Sequence, residues 1–224
     1  MRAIIPRLIT FLIGLTYISN ICNAINVSGY IVSENHDTIY GIIKLHRYDQ
    51  VTGALILNGF DLESLRYKIT FRRNDSKSKQ TFTPSMILGF GFNYDSVKYI
   101  YKRFLLEYKN IFSKDTQEYR FLNLIYQGSS ELYLNTICIN QTPNNSSAGG
   151  YVTYYEYYLY SNSGLIKVAM NDRIKNIRDL LRELNIDEEY IQEIPENTKF
   201  KDIKVILEYY DKWSSIHHSK AVEL

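Results

Sequence analysis

Leu65-Arg66-Tyr67-Lys68-Ile69-Thr70-Phe71-Arg72 alternates apolar and polar side chains without a break. Period two places one set of side chains in a core and the other in water, as expected for a strand of an antiparallel sheet wet on one face. Upstream, Ile25 to Ser33 and Thr38 to Leu45 are apolar and β-branched, and the polar Glu34-Asn35-His36-Asp37 between them reads as a hairpin turn. The stretch from His46 to Ser64 stays open between a strand and a long loop packed by its own side chains, with Gly53 and Gly59 flanking Ala54-Leu55-Ile56-Leu57.

Downstream, Asn74 to Lys79 turns the chain into a short strand, Gln80 to Thr83, which Pro84 ends because it has no N–H to donate. Gly89 and Gly91, within Met86 to Phe92, point to a bulge or a close backbone approach. Val97 to Tyr108 fits both a strand and a helical stripe, and its aromatic and β-branched content favours the strand. Tyr119 to Tyr126 and Glu131 to Ile139 read as strands around Gln127-Gly128-Ser129-Ser130, as do Tyr154 to Tyr160 and Leu165 to Met170 around Asn162-Ser163-Gly164. Gln141 to Gly150 reads as a polar loop.

The period lengthens at Asp172. Ile174, Ile177, Leu180, Leu181 and Leu184 recur at helical spacing, with Asn171 or Asp172 suited to cap the start and Asn185 to close the end. A short helix is expected after Asp187, with Ile186 and Ile191 as a hydrophobic staple, and a third from Lys201 to Trp213. Helices this short need burial of their apolar stripes, each Leu or Ile contributing roughly 1.5–3 kcal/mol. The fold class that follows is α+β, mainly β: an antiparallel β-sandwich or open barrel of about eight to ten strands with a C-terminal helical segment packed on it as a cover. The expected segments are 1–24 as a signal peptide, 25–170 as a tyrosine-rich β domain, 171–213 as the helical segment and 214–224 as a flexible tail.

The leader reading rests on basic Arg2 and Arg7, an apolar run from Leu8 to Ile21, and small Ala24 as the cleavage position. That run is interrupted by Thr10, Thr16, Ser19 and Asn20, so a membrane anchor is the weaker reading. Lipidation at Cys22 is disfavoured by Ser19-Asn20-Ile21 before it. The expected location is therefore the periplasm, the outer-membrane surface or the exterior, with no transmembrane segment in the mature chain. Loss of Arg2 and Arg7 leaves 24 basic against 24 acidic residues, which removes the electrostatic support for a nucleic-acid partner. Cys138 is then the remaining cysteine, read as a small buried residue of a strand.

Chemistry-bearing patterns are sparse. His36, His46, His217 and His218 have no His-x-x-x-His spacing, and Asp187-Glu188-Glu189 suits a helix's first turn. No Gly-x-Ser-x-Gly elbow accompanies them, so no catalytic residue, metal or cofactor is expected. A hydrolase using His36 or His46 as base is the weak alternative. The distinctive stretch is Tyr151-Val152-Thr153-Tyr154-Tyr155-Glu156-Tyr157-Tyr158-Leu159-Tyr160. Tyr154, Tyr155, Tyr157, Tyr158 and Tyr160 would either pack as cross-strand pairs or form an exposed platform for a glycan or peptide.

The set Gly29-Tyr30-Ile31-Val32, Asp37-Thr38-Ile39-Tyr40-Gly41 and Phe82-Thr83-Pro84-Ser85-Met86-Ile87-Leu88-Gly89-Phe90-Gly91 resembles a group of uncharacterised secreted proteins from Bacteroidota. Phe121-Leu122, Leu132-Tyr133, Tyr157-Tyr158-Leu159 and Ile203 to Tyr210 look like that group's later elements. The chain departs from the pattern at His36, where the group usually has Gly before Asp-Thr, and at Leu55 to Phe60. The resemblance implies secretion and no known activity. Sequence thus leads to a secreted or periplasmic, non-enzymatic interaction or envelope-associated protein, with a carbohydrate- or peptide-binding module as alternative and a glycan, peptide or envelope protein as partner.

Overall fold

The structure, a computed structural model, describes residues 24–48, 56, 59–108, 116–141, 150–161, 164–169 and 174–220. The leader up to residue 23, the loop 142–149 and the expected caps Asn171 and Asp172 lie outside the described residues, as do the side chains of 138–141, 150–152 and 218–220. Ten strands are described: β1 (Ile25–Val32), β2 (Thr38–Leu45), β3 (Ile69–Arg73), β4 (Gln80–Phe82), β5 (Gly89–Tyr94), β6 (Val97–Tyr108), β7 (Thr116–Gln127), β8 (Glu131–Gln141), β9 (Gly150–Ser161) and β10 (Gly164–Lys167). They form one open sheet in the order β10-β9-β8-β7-β6-β5-β1-β2-β3-β4, antiparallel at each pairing with a described register. The mainly β, α+β class expected from period two is the class observed, and the sheet does not close into a barrel.

The chain forms two compact units, one from the residues up to Phe121 with Cys138–Val152, the other from Leu122–Ile137 with Thr153–Leu224. In the first, the odd positions of β1 and β2 point inward, so Val27, Ile31, Ile43 and Leu45 share a core with Ile69, Phe71, Phe90, Phe92 and Tyr101. Rings on β5 and β6 stack across the strand pair, Phe90 on Tyr101 at 4.5 Å and Phe92 on Tyr99 at 5.1 Å between centroids. The β1–β2 hairpin turns through His36 at φ 65°, the left-handed conformation that favours glycine. The glycines suspected of close approach do make one. A Cβ on Gly89 would collide with the Tyr101 carbonyl oxygen, and one on Gly91 would lie 2.6 Å from Tyr30 Cζ.

The alternating stretch is a strand only from Ile69. Ser64–Arg66 is instead a 3-10 turn. The Asp61 carboxylate accepts hydrogen bonds from the backbone N–H groups of Glu63 (3.0 Å) and Ser64 (3.1 Å), and the Ser64 hydroxyl donates back to the Asp61 carbonyl. Such local side-chain bonds compete with a strand ladder, and here they win. Arg66, expected in water, is buried beside Glu63, with its guanidinium 5.1 Å from the Tyr67 ring centre.

In the second unit the helical segment covers part of the sheet, as expected. α1 (Ile177–Glu183), α2 (Glu188–Glu193) and α3 (Ile203–Lys220) bury Leu180, Leu181, Ile191, Ile203 and Leu207 with Leu132 of β8 and Leu159 of β9. α1 begins later than expected because Asn176 is its cap: its side chain accepts from Asp179 N–H while the Asp179 carboxylate accepts from Asn176 N–H. Asn185, at φ 56°, closes α1 as expected, with bonds from Asn185 N–H to the Arg182 carbonyl and from Ile186 N–H to the Leu181 carbonyl. α3 outruns the expected end at Trp213 because the helix continues through His217, whose ring stacks on Trp213 at 4.0 Å. The Asp211 carboxylate ties α3 to the β7–β8 turn by accepting from the Tyr126 hydroxyl and from Ser129 N–H.

Candidate functional site

Alternation along β9 divides its tyrosines between two faces. Tyr155, Tyr157 and Leu159 share one: Leu159 is fully buried in the helical core and Tyr157 packs against that core, while Tyr155 is 58% exposed. Tyr154, Glu156, Tyr158 and Tyr160 share the other, where Tyr158 is buried and Tyr154 and Tyr160 are exposed. The five candidates therefore do not act alike. Tyr158 is a packing residue, Tyr157 is half-buried, and Tyr154, Tyr155 and Tyr160 present rings to solvent.

Between the exposed rings lies a polar cluster that alternation alone did not disclose. The Glu156 carboxylate accepts hydrogen bonds from Asn135 Nδ2 (3.0 Å), from the Tyr158 hydroxyl (3.0 Å) and from Lys167 Nζ. Tyr133 is fully buried, and its hydroxyl donates to Glu131. Burial alone would raise the pKa of Glu156, but the hydrogen bond and charge of Lys167, with Asn135 and Tyr158, outweigh it and hold the carboxyl below its usual range. Burial, with the bond to Glu131, pushes the Tyr133 hydroxyl far up, so it stays a donor. Glu156 is thus a fixed anion whose donors orient the strand.

Because the folded-state pKa of Glu156 is depressed, its contribution is present above the unfolded pKa and is lost as pH falls through the folded one. Glu156→Gln is expected to lower stability by about 1 kcal/mol at neutral pH, near the low end for hydrogen bonds to charge because Lys167 is half solvent-screened. The deficit should shrink towards zero below the usual carboxylate range. Urea unfolding of both proteins across pH 3–7 checks this, and a deficit that does not vary with pH would refute it.

In the first unit a cleft of about 670 Å³ opens where the segment after β2 meets the β5–β6 hairpin. Phe60 forms its floor and meets Tyr94 and Tyr99 edge-on at 5.2 and 5.3 Å. Leu62 and Val97 add apolar wall, and Arg47 and Asp95 bring opposite charges. The segment is pinned by bonds from Asp61 N–H to the His46 carbonyl (2.9 Å) and from Ile56 N–H to the Arg47 carbonyl (2.6 Å). Gly59, at φ 128°, makes the bend before Phe60. Asp95 and Ser96 both take positive φ, as the two central residues of a hairpin turn matched to strand twist do. The sequence signal for this site was Asp95-Ser96 between two aromatic strands. Neither residue is the usual Asn or Gly of such turns, which hid it.

A smaller cleft, about 300 Å³, lies between Tyr30 and Tyr40 over Gly91, with Asn74, Asn93 and Lys98 around it. His36 sits exposed in the β1–β2 turn. His46 lies edge-on to Tyr48 at 5.4 Å with its Nδ1 buried and without a hydrogen-bond partner, and burial, helped by Lys44, lowers its pKa. The structure does not bring the imidazole of either histidine into a described hydrogen bond with a serine hydroxyl or a carboxylate. Among the described residues no group of three or more His, Cys, Asp or Glu is placed to hold a metal ion, and no helix is long and apolar enough to cross a membrane. Compared with protein-family models, curated proteins and solved structures, the chain matches none.

Proposed function

We propose that this chain is an exported, non-enzymatic interaction module of the cell envelope or exterior, and that β9 is its contact strand for a carbohydrate or peptide chain. Export is supported by the basic, apolar and small-residue order of the first 24 residues. The observation that carries the contact reading is the exposure of Tyr154 and Tyr160 on one face of the strand, with Glu156 between them immobilised by three donors. A ring with two torsions costs little entropy to hold against a ligand, and its hydroxyl adds a hydrogen bond at the rim. A clamped carboxylate between such rings supplies a fixed acceptor for sugar hydroxyls or peptide N–H groups.

Glycan and peptide arrays probed with the purified protein test this. Binding is expected, and Tyr154→Ala or Tyr160→Ala should weaken it tenfold or more, roughly the loss of one central aromatic anchor. Tyr157→Phe, half-buried against the helical core, should leave it within about twofold. Absence of binding across both arrays, or binding indifferent to Tyr154 and Tyr160, would overturn the reading.

A further inference from the structure

The cleft of the first unit is bordered by two opposite charges, Arg47 and Asp95. Among the described residues neither the Arg47 guanidinium nor the Asp95 carboxylate has an ion-pair partner. Elsewhere in this unit Arg103 pairs with Glu34, Arg120 with Glu118, Arg73 with Asp75 and Arg66 with Glu63. The two unpaired groups border one concavity whose floor and walls are aromatic. Its volume falls in the range of small-molecule sites, about 300–1,000 Å³.

The chemistry of the Asp95 end is specific. Tyr94 and Tyr99 stand nearly perpendicular to Phe60, at 88° and 75°, giving ring walls at right angles to the floor. Tyr94, Asp95 and Tyr99 line the same cleft, and the Tyr99 hydroxyl is pushed up first by burial and then by Tyr94 and Asp95. Aromatic faces beside a carboxylate attract an ammonium group through the ring quadrupole and the charge together. Arg47 offers a planar fork suited to a carboxylate. Asp95 comes to the cleft on the tight β5–β6 turn, whose two central residues take positive φ.

We propose that this cleft is a binding site for a small zwitterion, its ammonium group held by Asp95, Tyr94 and Tyr99 over Phe60 and its carboxylate by Arg47. The site stands independently of the β9 reading, since none of its residues lies on that strand.

Isothermal titration of the purified protein with glycine betaine and with 4-trimethylammoniobutanoate, two zwitterions of different charge separation, tests it, with choline and butanoate as single-charge comparisons. One zwitterion is expected to bind at least tenfold more tightly than either comparison. Asp95→Asn, which keeps a residue tolerant of left-handed backbone, and Arg47→Gln should each weaken that binding at least tenfold. With the unaltered protein, NMR shifts on titration should centre on Tyr94, Asp95, Tyr99 and Arg47, which keeps the test decisive if a variant misfolds. No heat with either zwitterion, choline binding as tightly as both, or shifts centred elsewhere would overturn the site.

Discussion

Phe90→Ala is expected to cost about 4 kcal/mol, the largest loss from a single side-chain truncation in the first unit. Phe90 is 1% exposed and sits where three rings converge, stacked on Tyr101 at 4.5 Å, edge-on to Phe121 at 5.0 Å and parallel to Phe92 at 6.4 Å. Its removal forfeits the transfer energy of a phenyl group and leaves a cavity that its neighbours cannot fill. Tyr101 and Phe121 are held in place by their own strands. Each ring pair also contributes about 0.5–1.5 kcal/mol beyond area burial. Phe90→Leu, which keeps most of the volume, should recover roughly half of the loss. Guanidinium unfolding monitored by tyrosine and tryptophan fluorescence checks both. A midpoint for Phe90→Ala within about 1 kcal/mol of the wild type would mean that these stacks do not hold the unit together.

Much of this ring cluster was legible as pattern and little of it as contact. Period two along β1, β2 and β3 identifies which side chains turn inward, because the pleat imposes that direction regardless of neighbours. β6 was resolved as a strand for a related reason: a helix would bury one stripe, whereas its β-branched and aromatic content suits a surface packed on successive positions. At Leu65 the same pattern misled. Local bonds from Asp61 stabilise a 3-10 turn there, and a binary pattern carries no information about a carboxylate four residues upstream. The closing Asn185 was readable because a left-handed residue after a helix is a local requirement. The start of α1 was not, since Asn171, Asp172 and Asn176 each carry a capping side chain, and the structure shows Asn176 in a reciprocal box with Asp179.

The candidate sites divide in the same way. The tyrosine strand was visible as composition, yet alternation could not say which rings the helices cover, because that depends on Leu159 and Tyr157 meeting α1 and α3. The Glu156 cluster joins β8, β9 and β10 through Asn135, Tyr158 and Lys167, residues brought together by strand register. The cleft joins Arg47, Phe60 and Asp95, separated in sequence and drawn together by a segment that the sequence left open between strand and loop.

Glycines carry the second large effect, and here the identity of the obstructing atom decides the magnitude. Gly41 faces the core of the first unit: a Cβ there would press on the Arg72 carbonyl oxygen and lie 2.5 and 2.7 Å from Phe71 Cζ and Cε2. The oxygen belongs to the paired β3 backbone and Phe71 is 1% exposed, so neither can withdraw. Gly91 looks equally crowded, with Tyr30 Oη at 2.5 Å and Cζ at 2.6 Å, but its obstacle is a side chain on the outer face, with Tyr40 beside it 66% exposed. Tyr30 can swing outward, at the expense of its packing over the glycine. Gly41→Ala is therefore expected to cost about 3 kcal/mol and Gly91→Ala about 1 kcal/mol or less, after about 0.4–1 kcal/mol is returned by the reduced freedom of the unfolded chain. Pairing Gly41→Ala with Phe71→Leu should not restore stability, because the carbonyl clash remains. Thermal and urea unfolding of the three variants give the ordering, and equal losses at Gly41 and Gly91 would show that the core face of β2 yields as readily as the solvent face of β5.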